Sequence, residues 1–222
     1  MCGRYARFSA PDRLLRPLGV QWDGPDLVPN YNTAPGQPVL AVRQREAHRE
    51  AALLRWGLIP AWAKDKAVGY RMINARAEGI ADKPAFRQPF RHQRCLIPAD
   101  GFYEWQQNED GRKQPWYIHR RDGEPLAFAG IWARWQGSET IESCAIITGP
   151  PNAVVAPIHD RMPVILDPAD HAAWLENDNP LLLQQLLQPL PAERLAAYPV
   201  GLAVNKPAHG GAGLIEPLTG AG

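Results

Sequence analysis

Long apolar runs are missing from this chain of 222 residues. No stretch approaches the ~20 residues that a membrane-spanning helix needs, the longest candidate being the broken Leu181-Leu182-Leu183-Gln184-Gln185-Leu186-Leu187. No membrane partner is therefore expected. The amino-terminal end also lacks the apolar h-region of a secretory signal and carries Arg4 and Arg7 around a tyrosine instead. Cysteine is scarce: Cys2, Cys95 and Cys144 are odd in number and have no C-x-x-C spacing, which argues against a disulfide framework and against a zinc site. Internal repeats, low-complexity tracts and a long linker are absent as well. One domain over residues 1–222 is expected, cytoplasmic, with no metal and no cofactor.

What is present describes a protein with a real core. Hydrophobic residues make up 45% of the chain against 21% charged, and there are eight tryptophans, so disorder is not the default. The net charge of +1 conceals an asymmetry. From Arg55 to Arg94 there are nine Lys/Arg against three Asp/Glu, and from Gln136 to Gly222 three against nine. Such a basic segment suits a polyanion, since neutralising phosphates releases counterions. A solvated face balanced by the acidic carboxy-terminal third is the alternative.

Runs at Val39–Val42, Leu53–Ile59, Cys95–Ile97, Trp116–His119, Leu126–Trp135, Ile141–Thr148, Pro163–Leu166 and Val200–Val204 read as strands. Asn108-Glu109-Asp110-Gly111 and Arg121-Asp122-Gly123 are turn signals between them, and an antiparallel meander is expected over about residues 95–148. Helices are fewer. Ser9 with Pro11 predicts one to about Leu18, Asp167-Pro168 another through about Glu176, and a third covers Leu181–Leu187. Strands outnumber helices without β-α-β alternation, which predicts an α+β fold built on a single mainly β domain. The last dozen residues, rich in Gly and Ala, read as a frayed tail.

Chemistry concentrates in a few places. If Met1 is removed, Cys2 carries both an α-amine, ordinary pKa ~7.7 to 8.0, and a thiol near ~8.5. Amines add to aldehydes and thiols trap the resulting imine, so such a residue can close a five-membered thiazolidine; standing alone, a cysteine at position 2 is as easily an accident. Asn30-Tyr31-Asn32-Thr33-Ala34, between Pro29 and Pro35, is an ordered loop or an ordinary Asx-rich turn. In Ile73-Asn74-Ala75-Arg76-Ala77-Glu78, Asn74 offers a donor and an acceptor and Arg76 a fork suited to phosphate, or else Asn74 caps a helix. Glu104, between Tyr103 and Trp105, is the best acid/base candidate if the aromatics desolvate it, and an outward-facing surface glutamate if they lie on the opposite face. His159, just before an apolar strand, has the most constrained setting of the six histidines, although most lone histidines are structural.

Taken together these segments resemble the SOS response-associated peptidase (SRAP) family, the abasic-site processing proteins. The match runs through Met1-Cys2-Gly3-Arg4-Tyr5, Asn30–Pro35, Arg55-Trp56-Gly57-Leu58-Ile59-Pro60, Ile73–Glu78, Cys95–Ala99 with Gly101–Trp105, Phe128–Trp132, and His159 with Arg161-Met162-Pro163. Seven blocks in one order are specific where each alone is weak. The resemblance implies a β-barrel-like sheet with flanking helices, a monomer associated with the nucleoid, and single-stranded DNA carrying abasic sites as partner. It implies that Cys2 attaches covalently to the sugar aldehyde, with Glu104, His159 and Asn74 completing the catalytic set. Removal of Met1, by the chain itself or by an aminopeptidase, is a condition for that chemistry. Arg4, Arg76 and Arg161 are the expected phosphate contacts, Asn32 a further DNA contact, and Trp62 and Phe86 the aromatics that stack on bases or wedge beside the missing one. Two other readings stand beside it: an N-terminal-nucleophile glutamine amidotransferase, and a non-enzymatic nucleic-acid-binding module.

Overall fold

Short runs of β-branched and aromatic residues, apolar on both faces, dictate a strand-rich architecture. A computed structural model of the chain describes residues 2–46 and 48–218. Its strands are β1 (Tyr5–Arg7), β2 (Asn30–Thr33), β3 (Pro38–Arg45), β4 (His48–Trp56), β5 (Asn74–Arg76) and β6 (Arg94–Ala99). They continue with β7 (Gly101–Gln107), β8 (Lys113–Arg120), β9 (Leu126–Gln136), β10 (Thr140–Gly149), β11 (Met162–Pro163) and β12 (Leu195–Pro199). Four short α-helices flank them among the described residues: α1 (Pro11–Leu15), α2 (Arg87–His92), α3 (His171–Glu176) and α4 (Pro180–Gln185).

Five strands close into a barrel. The order is β10-β4-β3-β6-β9, and β9 pairs back onto β10 to complete the ring. Closure leaves no barrel edge unpaired. The short strands β5 and β11 both attach along the last residues of β10. A second, open sheet runs β12-β8-β7-β1-β2. Alternate residues of β9 enter different cores: Ala127, Ala129, Ile131 and Ala133 pack with helix residues such as Leu14, Phe90 and Trp174, whereas Leu126 and Phe128 pack with Tyr5, Phe102 and Ile118 of the second sheet. Burial on both faces explains why β9 reads as an apolar run rather than an alternation.

The fold differs from the sequence expectations where side-chain pattern is silent about pairing. The segment 95–148 is not one meander. β6 pairs with β9, β7 with β8, and β9 with β10, so the chain crosses between sheets at Asp100, whose carboxylate accepts the Phe8 and Ser9 backbone N–H groups at 2.6 and 2.9 Å and the Ser9 hydroxyl. Ser9 is thereby drawn away from α1, whose cap position is Ala10. The Asn108–Gly111 turn does join β7 to β8, while Gly123 turns the chain from one sheet into the other. The expected strand at Val200–Val204 is a 3₁₀ turn over Leu202–Asn205, and the strand lies earlier, at β12. The carboxy-terminal dozen is docked over its described part: Leu214 is buried with Val200 and Val204, Tyr198 Oη donates to Ile215 O at 2.8 Å, and Leu218 N–H to Pro199 O at 3.0 Å. Residues 219–222 lie outside the described residues.

One glycine sets the exit from the barrel. Gly57 follows β4 at φ 127°, and a Cβ there would lie 2.6 Å from Gly69 O. Its N–H donates to Cys144 O at 2.8 Å and the next, Leu58 N–H, to Met72 O at 3.0 Å, which carries the chain toward Asn74. Gly57→Ala is expected to destabilise the fold by roughly 2 kcal/mol, from backbone strain and the clash together. Denaturant midpoints test this, and a midpoint equal to wild type would refute it.

Candidate active site

The segment leading into β1 runs beside β7. Tyr5 is registered opposite Phe102, and Tyr103 N–H donates to Arg4 O at 3.0 Å, so Cys2 and Glu104 are carried on neighbouring strands. Cys2 is fully buried. Asn74, at the start of β5, donates its side-chain amide to Cys2 O at 2.8 Å. Asn74 sits in a strand paired in parallel with β10, opposite Ile146, which excludes the helix-cap reading. Burial raises the Cys2 thiol pKa well above its ordinary value, and the negative charge of Glu104 raises it further.

Glu104 points into the space between barrel and second sheet, and only 2% of its side chain is exposed. Tyr103 does lie on the opposite face of β7, in the cluster with Tyr117, Val200 and Leu214. Desolvation of Glu104 therefore comes from the core on its own side, not from the flanking aromatics. Burial pushes its carboxyl up to about 7, where it can hold or release a proton near neutrality.

His159 follows a turn built on Asn152, whose carbonyl oxygens order Val154, Val155 and Ala156. His159 Nε2 is 3.8 Å from Glu104 Oε2. The Arg161 backbone N–H donates to His159 Nδ1 at 3.0 Å and the Arg161 carbonyl oxygen lies 3.2 Å from the same nitrogen, so the main chain of Arg161 holds the neutral ring with Nε2 facing Glu104. Burial lowers the His159 pKa and favours that neutral form. Asp160 Oδ1 lies 3.0 Å from the same Nδ1, an acceptor in place when the ring takes up a second proton. The buried strand core thus presents an amide, a carboxyl of raised pKa and an imidazole around one cysteine.

The SOS response associated peptidase (SRAP) family model matches residues 1–207. This chain belongs to that family. It is 42% identical to abasic site processing protein YoqW of Bacillus subtilis, over 97% of this chain and 99% of that one. It is 31% identical to abasic site processing protein YedK of Escherichia coli, over 98% of this chain and 100% of that one. A solved structure from Bacteroides thetaiotaomicron superposes with a TM-score of 0.88 at 26% identity, over 97% and 99% of the two chains.

In this SRAP chain the expected DNA contacts fall into two groups. Trp62 is 65% exposed and Arg76 is also exposed, both open to a ligand. Arg4 is half-buried, with Nη1 donating to Asn32 Oδ1 at 2.6 Å and Val204 O at 2.8 Å, and its guanidinium lies 6.0 Å from the centre of the Trp105 ring. Arg161 is turned inward onto Glu78. Two of the expected contacts are buried. Phe86 belongs to the helix-side core and is 8% exposed. Asn32 is 2% exposed and spends its amide on Lys206 O and His209 O at 3.0 and 2.9 Å, which clamps the loop after Leu202. Arg94, counted in the basic stretch, is buried and donates to the carbonyls of Trp174, Phe90, Arg91 and Asn177.

Sequence reasoning passed over three residues that the geometry brings forward. Glu78 and Asp160 were hidden by being charged and exposed, and only the structure sets them against Arg161 and His159. Trp105, whose Nε1 donates to Asn205 Oδ1 at 2.7 Å, faces the Arg4 side of β7. Its place beside Glu104 was the available signal.

Proposed function

We propose that this SRAP chain processes abasic sites in single-stranded DNA, forming a covalent thiazolidine through Cys2 once Met1 is gone. The observation that carries this reading is the meeting of Asn74, Glu104 and His159 around Cys2. Abasic deoxyribose is a cyclic hemiacetal in equilibrium with an open aldehyde. His159 in its protonated form delivers a proton to the ring oxygen and takes one back from the C1′ hydroxyl as the ring opens, ending as it began. The unprotonated Cys2 amine adds to the aldehyde carbon, and Glu104, near neutrality in pKa, accepts the amine proton and returns one to the carbinolamine hydroxyl, which leaves as water. The Cys2 sulfur then bonds to the imine carbon and its proton passes to the nitrogen, closing the ring. Since burial keeps the thiol protonated, the amine acts first and sulfur second. Asn74 orients the Cys2 backbone. Names carried by relatives at 31 and 42% identity support the substrate class.

An amidotransferase reading would send the Cys2 sulfur directly at an amide, and it lacks the support that the relatives' names give to abasic sites. Peptidase chemistry enters only as removal of Met1. Mixing the protein with an abasic oligonucleotide and, separately, with glutamine tests the assignment: a heat-stable band on a denaturing gel is expected, and ammonia release without a band would overturn it.

Non-specific contact with phosphate is assigned first to Arg76. Arg76→Ala is expected to reduce the log-log salt slope of single-strand binding by ~0.7, the value per contact, with little dependence on base composition. Fluorescence anisotropy at several salt concentrations measures it, and an unchanged slope and affinity would make the basic excess a solvated face.

A further inference from the structure

Glu78 is not used by the chemistry above, yet it is bound to the site at two removes. Arg161 Nη1 and Nη2 donate to Glu78 Oε1 and Oε2 at 2.7 and 2.8 Å, a fork-to-fork pair. Arg161 Nη2 also donates to Thr148 O, and the same carbonyl accepts Ala77 N–H at 2.9 Å. Thr148 lies in β10 where both β5 and β11 attach. The pair therefore bolts the segment after Asn74 and Arg76 to the segment that carries His159. The backbone N–H of Arg161 in turn holds His159 Nδ1. Arg161 faces opposed demands: a fixed side chain steadies the imidazole, and a released one would reach phosphate. Its partner carboxyl, hydrogen-bonded by Arg161, is held down to about 2 and stays charged across the neutral range.

We infer that Glu78 is a positioning residue that restrains Arg161 so that the His159 ring keeps its place with Nε2 toward Glu104, at the expense of one phosphate contact. The inference rests on the reading of the site as one that crosslinks abasic DNA. Single-turnover crosslinking of wild type, Glu78→Gln and Glu78→Ala over a range of abasic oligonucleotide concentrations tests it. In Glu78→Ala the rate at saturating DNA is expected to fall roughly ten- to a hundredfold, the scale of a misplaced reacting group. The half-saturating concentration is expected to stay constant or fall, with the salt slope steeper by ~0.7 as Arg161 is released. Glu78→Gln, which retains the shape and one hydrogen bond, should fall between. A rate equal to wild type, or a loss of rate matched by weaker binding, would overturn the inference. A second readout needs no DNA: ¹⁵N NMR should show one set of His159 ring signals in wild type and shifted or exchange-broadened signals in Glu78→Ala. Ring signals unchanged in the variant refute the role of Glu78, whereas absence of any wild-type adduct refutes crosslinking and leaves the NMR result to decide on Glu78.

Discussion

Cys2→Ala is expected to yield no adduct with abasic single-stranded DNA that survives heating in denaturant, where wild type converts most of the oligonucleotide. The substitution leaves the α-amine, and with it the ability to form a reversible imine, but removes the sulfur that closes the ring. Without a reductant the imine hydrolyses on denaturation. Adding borohydride should restore a covalent band in Cys2→Ala by reducing the imine, which separates loss of the ring from loss of the site. The cysteine is fully buried, and trimming its sulfur leaves a small void, so the variant should remain folded. A heat-stable band from Cys2→Ala without reductant would show that another nucleophile makes the bond and would remove the thiazolidine from the mechanism.

Glu104→Gln is expected to slow adduct formation by roughly 10²- to 10⁴-fold at pH 7.5, the usual worth of a positioned proton carrier, with little change in DNA affinity. Two pH dependences distinguish it from a packing mutant. In wild type the rate should climb as pH rises through about 7, where Glu104 becomes a base. That limb should vanish in the glutamine variant, leaving only the limb of the α-amine at ~7.7 to 8.0. Stability moves the opposite way. The folded protein holds the Glu104 proton up to about 7, while the unfolded chain releases it near ~4.3. The native state therefore binds more protons in that interval, and wild-type stability is lost as pH rises through it. The loss is complete above about 7 and amounts to roughly 4 kcal/mol. Glutamine escapes it, so Glu104→Gln should match wild type at pH 4 and melt higher at pH 8. Equal melting temperatures at pH 8, or an unchanged crosslinking rate, would count against the buried-carboxyl account.

The candidate site was more legible in the sequence than the topology. Cys2 stood out as an amine that would share its residue with a thiol, and Asn74, Glu104 and His159 as polar residues among apolar ones, and the structure brings them together. β9 and β10 were visible as long apolar runs, but nothing in them says that β10 meets β4 and β9 meets β6 to close a barrel, since those pairings join strands far apart in sequence. β1, β2 and β5 are three or four residues long, too short for any period to emerge. The reason for the raised pKa of Glu104 was misread in detail: alternation put Tyr103 on the far face, as expected, and tertiary packing supplied the burial. Phe86 and Asn32, expected as DNA contacts, lie buried because composition cannot tell an aromatic in a helix-lined core, or an amide gripping a loop, from one awaiting a ligand.

The loop gripped by Asn32 begins near residue 202, and Arg4 takes hold of Val204 O in the same loop. The amino-terminal end of the polypeptide is thus fastened by a stretch some two hundred residues after it. A chain cut before residue 202 would carry Cys2 without the carbonyls that hold Arg4 and Asn32 beside it.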